Sequence, residues 1–177
     1  IWLKRFCSQK AADVLSCLVM TVLSDLSKII LPFIEQFQAK TLLVGGETAV
    51  TLCNDLHDTR STVLTTPFKL DQLVDLGAVD IAIISDIIEL SSKAEANEWL
   101  GVLRNGHTQH IIVIADNNKS MQQGWQLADF LALGLKKIGE HQNQHVYVYA
   151  IESYQQKRDW LNSRFWANPE NYNKYRW

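Results

Sequence analysis

Apolar and polar positions alternate along this chain in two periods, and each period names an element. Leu23, Leu26, Ile30, Phe33, Ile34 and Phe37 recur at helical spacing, which predicts a helix with one buried face. Pro32 falls inside that pattern and is expected to kink or split it. Thr41-Leu42-Leu43-Val44 then runs into Gly45-Gly46, the signature of a buried strand entering a tight turn, and a helix is expected from Glu47 to Leu56. Ser61 to Thr65 is rich in β-branched residues and predicts a second strand, stopped by Pro67. Phe68 to Leu76 reads as a short helical or irregular connection. Val79 to Ser85 is apolar on both faces, as a central parallel strand must be.

Ser92 and Glu95 have capping-box spacing, so each can satisfy a backbone amide at a helix start. Ala96, Trp99, Leu100 and Leu103 form that helix's apolar stripe, and Gly106 is placed to end it. His110 to Ala115 predicts a fourth strand. Trp125 to Leu133 predicts a helix with Trp125, Ala128, Leu131 and Ala132 facing inward. Leu135 to Glu140 and Val146 to Ile151 are strand-like runs joined at Gln142-Asn143-Gln144, a hairpin. Strands alternating with helices imply an α/β fold: three layers, a Rossmann-like, mostly parallel sheet, closed by a C-terminal antiparallel hairpin.

Composition narrows the function classes. The 177 residues carry 17 Lys+Arg against 19 Asp+Glu, a net charge of −2, which excludes a nucleic-acid binder that works by bulk positive charge. An apolar fraction of 47% excludes a disordered chain. Cys7, Cys17 and Cys53 make no CxxC pair, and their odd number suits a reducing compartment. The pairs His107/His110 and His141/His145 have no cysteine or carboxylate cluster beside them, so no metal site is expected. No run approaches the ~18 apolar residues of a membrane span, so a soluble, cytoplasmic protein is expected. The first residue is Ile. Residues 1–19 therefore read as an extension ahead of Met20, residues 20–152 as the Rossmann-like domain, and residues 153–177 as a helix and tail packed on it.

From Leu42 to Ile151 the chain resembles the class I S-adenosylmethionine-dependent methyltransferases. Val79 to Leu90 is similar to that family's fourth-strand segment, in which Asp-x-x-Glu-His follows the strand. The resemblance implies S-adenosylmethionine as cofactor, with Gly45, Gly46, Glu47, Thr65 and Asp86 around it at the carboxyl ends of the strands. The departures are specific. Val44-Gly45-Gly46-Glu47-Thr48-Ala49 lacks the family's alternating glycines, and side chains at Glu47 and Ala49 narrow the space beside the cofactor. Leu64-Thr65-Thr66-Pro67 lacks the acidic residue that holds the ribose hydroxyls, leaving only neutral hydrogen-bonding groups. Leu90 stands where the family often has His. Between the second strand and Asp80 one strand-helix unit is reduced or missing. Two functions follow: a degenerate methyltransferase-like domain that serves as a binding or interaction module, or an active methyltransferase of unreadable substrate. No base or nucleophile stands out for the second.

Asp159-Trp160-Leu161-Asn162-Ser163-Arg164-Phe165-Trp166-Ala167-Asn168-Pro169-Glu170-Asn171-Tyr172 resembles the ending of a small bacterial family of unknown function whose members are methyltransferase-like in shape. Ser153 and Gln156 have capping-box spacing, predicting a helix from about Tyr154 to Phe165. Trp160 and Phe165 read as packing groups, each stabilising the tail by roughly 1.5–3 kcal/mol if buried. Tyr175 and Trp177, with Arg176 between them, are open to packing, to an unidentified protein partner, or to a local RNA contact by stacking.

Overall fold

The computed structural model describes residues 25–54 and 60–154. Six strands form one sheet in the order β2-β1-β3-β4-β6-β5. They are β1 (Thr41–Gly45), β2 (Arg60–Leu64), β3 (Val79–Ser85), β4 (Thr108–Asp116), β5 (Lys136–His141) and β6 (Gln144–Ala150). The first four are mutually parallel, and β6 pairs antiparallel with both β4 and β5. The parallel sheet with a closing hairpin is the expected architecture.

The strand pleat divides the core. Leu43, Ala82, Ile84, Ile111, Val113, Tyr147 and Tyr149 face one side, where α5 (Lys93–Gly106) packs through Ala96, Trp99, Leu100 and Leu103. Leu42, Val44, Ile81, Ile83, Ile112, Ile114, Val146 and Val148 face the other, under the helical residues 25–36 (α1) and α2 (Glu47–Cys53). Residues on alternate strand positions point to opposite faces, so strands that are apolar at every position require a layer on each side. Ser92 accepts the Glu95 amide while a Glu95 carboxylate oxygen accepts the Ser92 amide at 3.0 Å, the expected capping box of α5.

Three local expectations change. Residues 25–36 stay helical through Pro32. Pro32 lies on the exposed side, where water can bond the carbonyl it frees, while Leu26, Ile30 and Ile34 stay buried on the other side. The Trp125–Leu133 segment is helical only as α7 (Leu127–Ala132), with Phe130 and Leu135 inward and Ala128, Leu131 and Ala132 exposed. Trp125 is buried, but it precedes the helix after Gly124 at φ +76°, so it does not set the helical phase. Short helices α4 (Ile87–Leu90) and α6 (Asn117–Gln122), too brief to show periodicity, follow β3 and β4. Between β2 and β3 stands only the one-turn α3 (Asp71–Val74), the reduced unit foreseen from the short connection. The chain's described part closes with α8 (Ile151–Tyr154). The expected extension and the aromatic tail lie outside the described residues.

Candidate functional site

β1 is flanked by β2 on one side and β3 on the other, so successive connections leave it in opposite directions. In open α/β sheets that reversal opens a crevice above the carboxyl ends of the strands. Gly45, Gly46, Glu47, Ser85 and Asp86 meet there. Gly45 pairs in register with Leu64 of β2 and with Ile84 of β3.

The crevice is closed by its own groups. Gly46 holds φ +91°, and a methyl group added to it would lie 2.3 Å from both the carbonyl oxygen and Oγ of Ser85 and 2.7 Å from Oδ2 of Asp86. Asp86, itself at φ +65°, turns its carboxylate back across the gap between the strands. Oδ2 accepts the Glu47 amide at 2.8 Å and the Ser85 hydroxyl at 2.8 Å. Ser85 Oγ accepts the Ala49 amide at 3.1 Å. Amides in the first turn of a helix have no intrahelical acceptor, which is why such turns bind phosphates and other anions. Here Ser85 and Asp86 take two of them. The Glu47 side chain points to solvent, an acid in the first turn of α2.

Phe68 covers the rest. A methyl on Gly45 would lie 2.7 Å from Phe68 Cε1 and 3.2 Å from Ile84 Cδ1, so the ring rests directly on the glycine. Phe68 meets Trp99 of α5 edge-on, with centroids 5.2 Å apart. The Trp99 indole N–H donates to Lys69 O at 3.2 Å. Gln72 gathers the same loop, donating to Thr65 O at 2.8 Å and accepting from the Lys69 amide at 3.2 Å. Thr65 lies one residue past β2 and is exposed. Its hydroxyl oxygen faces Gln72 Nε2 at 3.4 Å.

Glu89, on the turn after Asp86, holds the end of β4. Its Oε1 accepts the Asp116 amide at 2.6 Å, and burial pushes its carboxyl above the usual carboxylate range. Leu90, where the methyltransferase pattern often has His, is 60% exposed.

The structure thus gathers four of the five predicted cofactor residues, Gly45, Gly46, Glu47 and Asp86, and leaves Thr65 bound to its own loop. Phe68, Gln72 and Ser85, which complete the closure, carried no motif. Only the fold brings them to the turn. The residues present do not fit the cofactor that the resemblance implies. A ring lies on the glycine floor, the Glu47 and Ala49 amides of the helix start are taken, and the β2 end offers no carboxylate.

A model of a family of unknown function (DUF6231) matches residues 22–177. This chain belongs to that family. No curated protein matches it. Among solved structures it is similar to the T. thermophilus 16S rRNA N2 G1207 methyltransferase (RsmC) in complex with AdoMet and guanosine, at 10% identity and a TM-score of 0.46 over 63% of this chain and 34% of that one. It is similar to PigF with SAH at 11% identity and 0.46, over 77% of this chain and 60% of that one. It is also similar to an O-methyltransferase family protein from Burkholderia thailandensis at 10% identity and 0.40, over 72% and 57%. The chain spans between about a third and three fifths of the length of these proteins. The described residues of the DUF6231 chain form a mostly parallel, Rossmann-like α/β sheet. No helix among its described residues is long and apolar enough to cross a membrane.

Proposed function

We propose that this DUF6231 protein is a cytoplasmic binding domain built on a methyltransferase-type sheet, with its nucleoside crevice closed by its own side chains. The observation that carries this reading is the Phe68 ring seated on Gly45, with Asp86 and Ser85 taking the amides of Glu47 and Ala49. A ligand entering there would have to displace an aromatic ring and break hydrogen bonds to a carboxylate, which are stronger than neutral ones. Among the described residues, no group in the crevice is left to act as a base toward a methyl acceptor. Asp86 is spent on structure, and Glu47 faces water.

Isothermal titration of the full chain with S-adenosylmethionine tests the reading. No heat is expected at millimolar ligand, either for the wild type or for Phe68→Ala, because Ser85 and Asp86 still hold the turn in the variant. Saturable heat with the wild type would restore the active methyltransferase. Heat with Phe68→Ala alone would narrow the closure to the ring.

A further inference from the structure

A second concavity lies two strands away from the crevice, on the α5 side of the sheet beyond β4. It encloses about 390 Å³, within the range of small-molecule sites. Trp125, Phe130 and Tyr147 make its apolar wall. Phe130 stacks face to face on Tyr147 at 4.0 Å, and Trp125 packs on Phe130 at 4.9 Å. Met121 and Leu127 stand at its rim, 67% and 54% exposed. Lys137 and His145 supply its polar side.

The hydrogen-bond inventory of this wall is incomplete. Trp125 is only 2% exposed, yet its Nε1, a donor with no alternative role, has no acceptor among the described residues. The Tyr147 hydroxyl is the wall's second polar group, and its one side-chain contact among the described residues is His145. Lys137 Nζ stands 3.3 Å from His145 Nε2, and it can donate to that nitrogen in the tautomer that carries the ring proton on Nδ1. Glu140, 3.4 Å from the same nitrogen, already accepts from Lys137. In that tautomer His145 Nδ1–H donates to Tyr147 Oη at 3.4 Å and the Tyr147 proton is left over; in the other the Tyr147 hydroxyl donates to Nδ1. Burial, with the Lys137 cation, holds His145 below the usual imidazole range, in keeping with a neutral ring. With the His145 proton on Nδ1, the aromatic wall carries two donors, one of them at the end of a chain that starts at an ammonium, and such a pair suits an anionic acceptor with a flat apolar body.

We propose that this cavity binds a small aromatic carboxylate, its ring against Trp125, Phe130 and Tyr147 and its oxygens accepting from Trp125 Nε1–H and Tyr147 Oη–H. The site does not depend on the state of the Gly45–Asp86 crevice. The test uses the full 177-residue chain labelled with 15N, with indole-3-acetate as probe and indole-3-acetamide as its neutral match. The Trp125 indole N–H signal is expected to move saturably with the acid, and the amide to bind more weakly. Tyr147→Phe keeps the stack and removes one donor, and it should weaken the acid about tenfold, the loss of one hydrogen bond to a charged group. A Trp125 signal that stays in place at millimolar probe overturns the proposal. So do equal affinities for acid and amide, or equal affinities of wild type and Tyr147→Phe for the acid.

Discussion

The turn after β1 and the aromatic wall beside β6 lie at the same end of one sheet, and they treat hydrogen bonds in opposite ways. At the turn, the carboxylate and hydroxyl described above are consumed by the protein's own amides, and the glycine floor carries a ring. At the wall, Trp125 is buried and its N–H has no acceptor among the described residues. The turn is where open α/β sheets bind ligands, and there the Glu47 and Ala49 amides are already paired with Asp86 and Ser85. A fold inherits a crevice from its strand order, but recognition requires polar groups that the protein has not already paired with itself.

That contrast can be broken by removing groups on each side and measuring stability. Gly46→Ala should have the largest effect. It forces a side chain into positive φ and into the Ser85 and Asp86 oxygens, and a loss of about 3 kcal/mol or more in urea denaturation is expected. A loss under about 1 kcal/mol would mean that the turn opens easily and the closure is soft. Asp86→Asn should cost about 1.5–3 kcal/mol by the same measurement, since it weakens charge-assisted bonds that tie β3 to α2.

Asp80, at the other end of β3, sharpens the comparison through pH. The backbone amides of Lys40 and Thr41, each 2.9 Å away, hold its carboxyl below the usual carboxylate range. The folded value is depressed, so this contribution is whole above the unfolded value of about 3.9 and is lost as pH falls through the folded one. Asp80→Asn should therefore lower stability near neutrality and flatten its decline below about pH 4, read from urea midpoints across an acid series. An unchanged acid slope would remove Asp80 from the account. The smallest effect belongs to the wall. Tyr147→Phe deletes a hydroxyl held only by a 3.4 Å contact, and the ligand-free protein should change by less than about 0.5 kcal/mol. A loss as large as that of Asp86→Asn would show that the wall, too, has spent its groups.

Much of the fold was legible in the residues. The span of β3, the α5 capping box and stripe, and the hairpin after Leu135 all follow from local periodicity and turn chemistry. Local rules count the hydrogen bond that Pro32 loses and so predict a kink or split, while burial of Leu26, Ile30 and Ile34 is a tertiary contribution that outweighs it. Trp125 misled the phase of α7 because an apolar residue beside a helix looks, in one dimension, like one inside it. For the site, Gly45, Gly46, Glu47 and Asp86 were readable as two β-to-α turns at the carboxyl ends of strands. The missing carboxylate after Leu64 was readable too.

Sequence alone determined the layers, the mostly parallel sheet and the poverty of its cofactor motif, since these rest on short-range patterns of apolar residues, glycines and acids. Only the tertiary structure decided that Phe68 would lie on Gly45 and that Asp86 would bond an amide 39 positions away. It alone buried the Trp125 indole with no acceptor among the described residues. Which donor meets which acceptor depends on packing between segments far apart in the chain, and no local pattern encodes that.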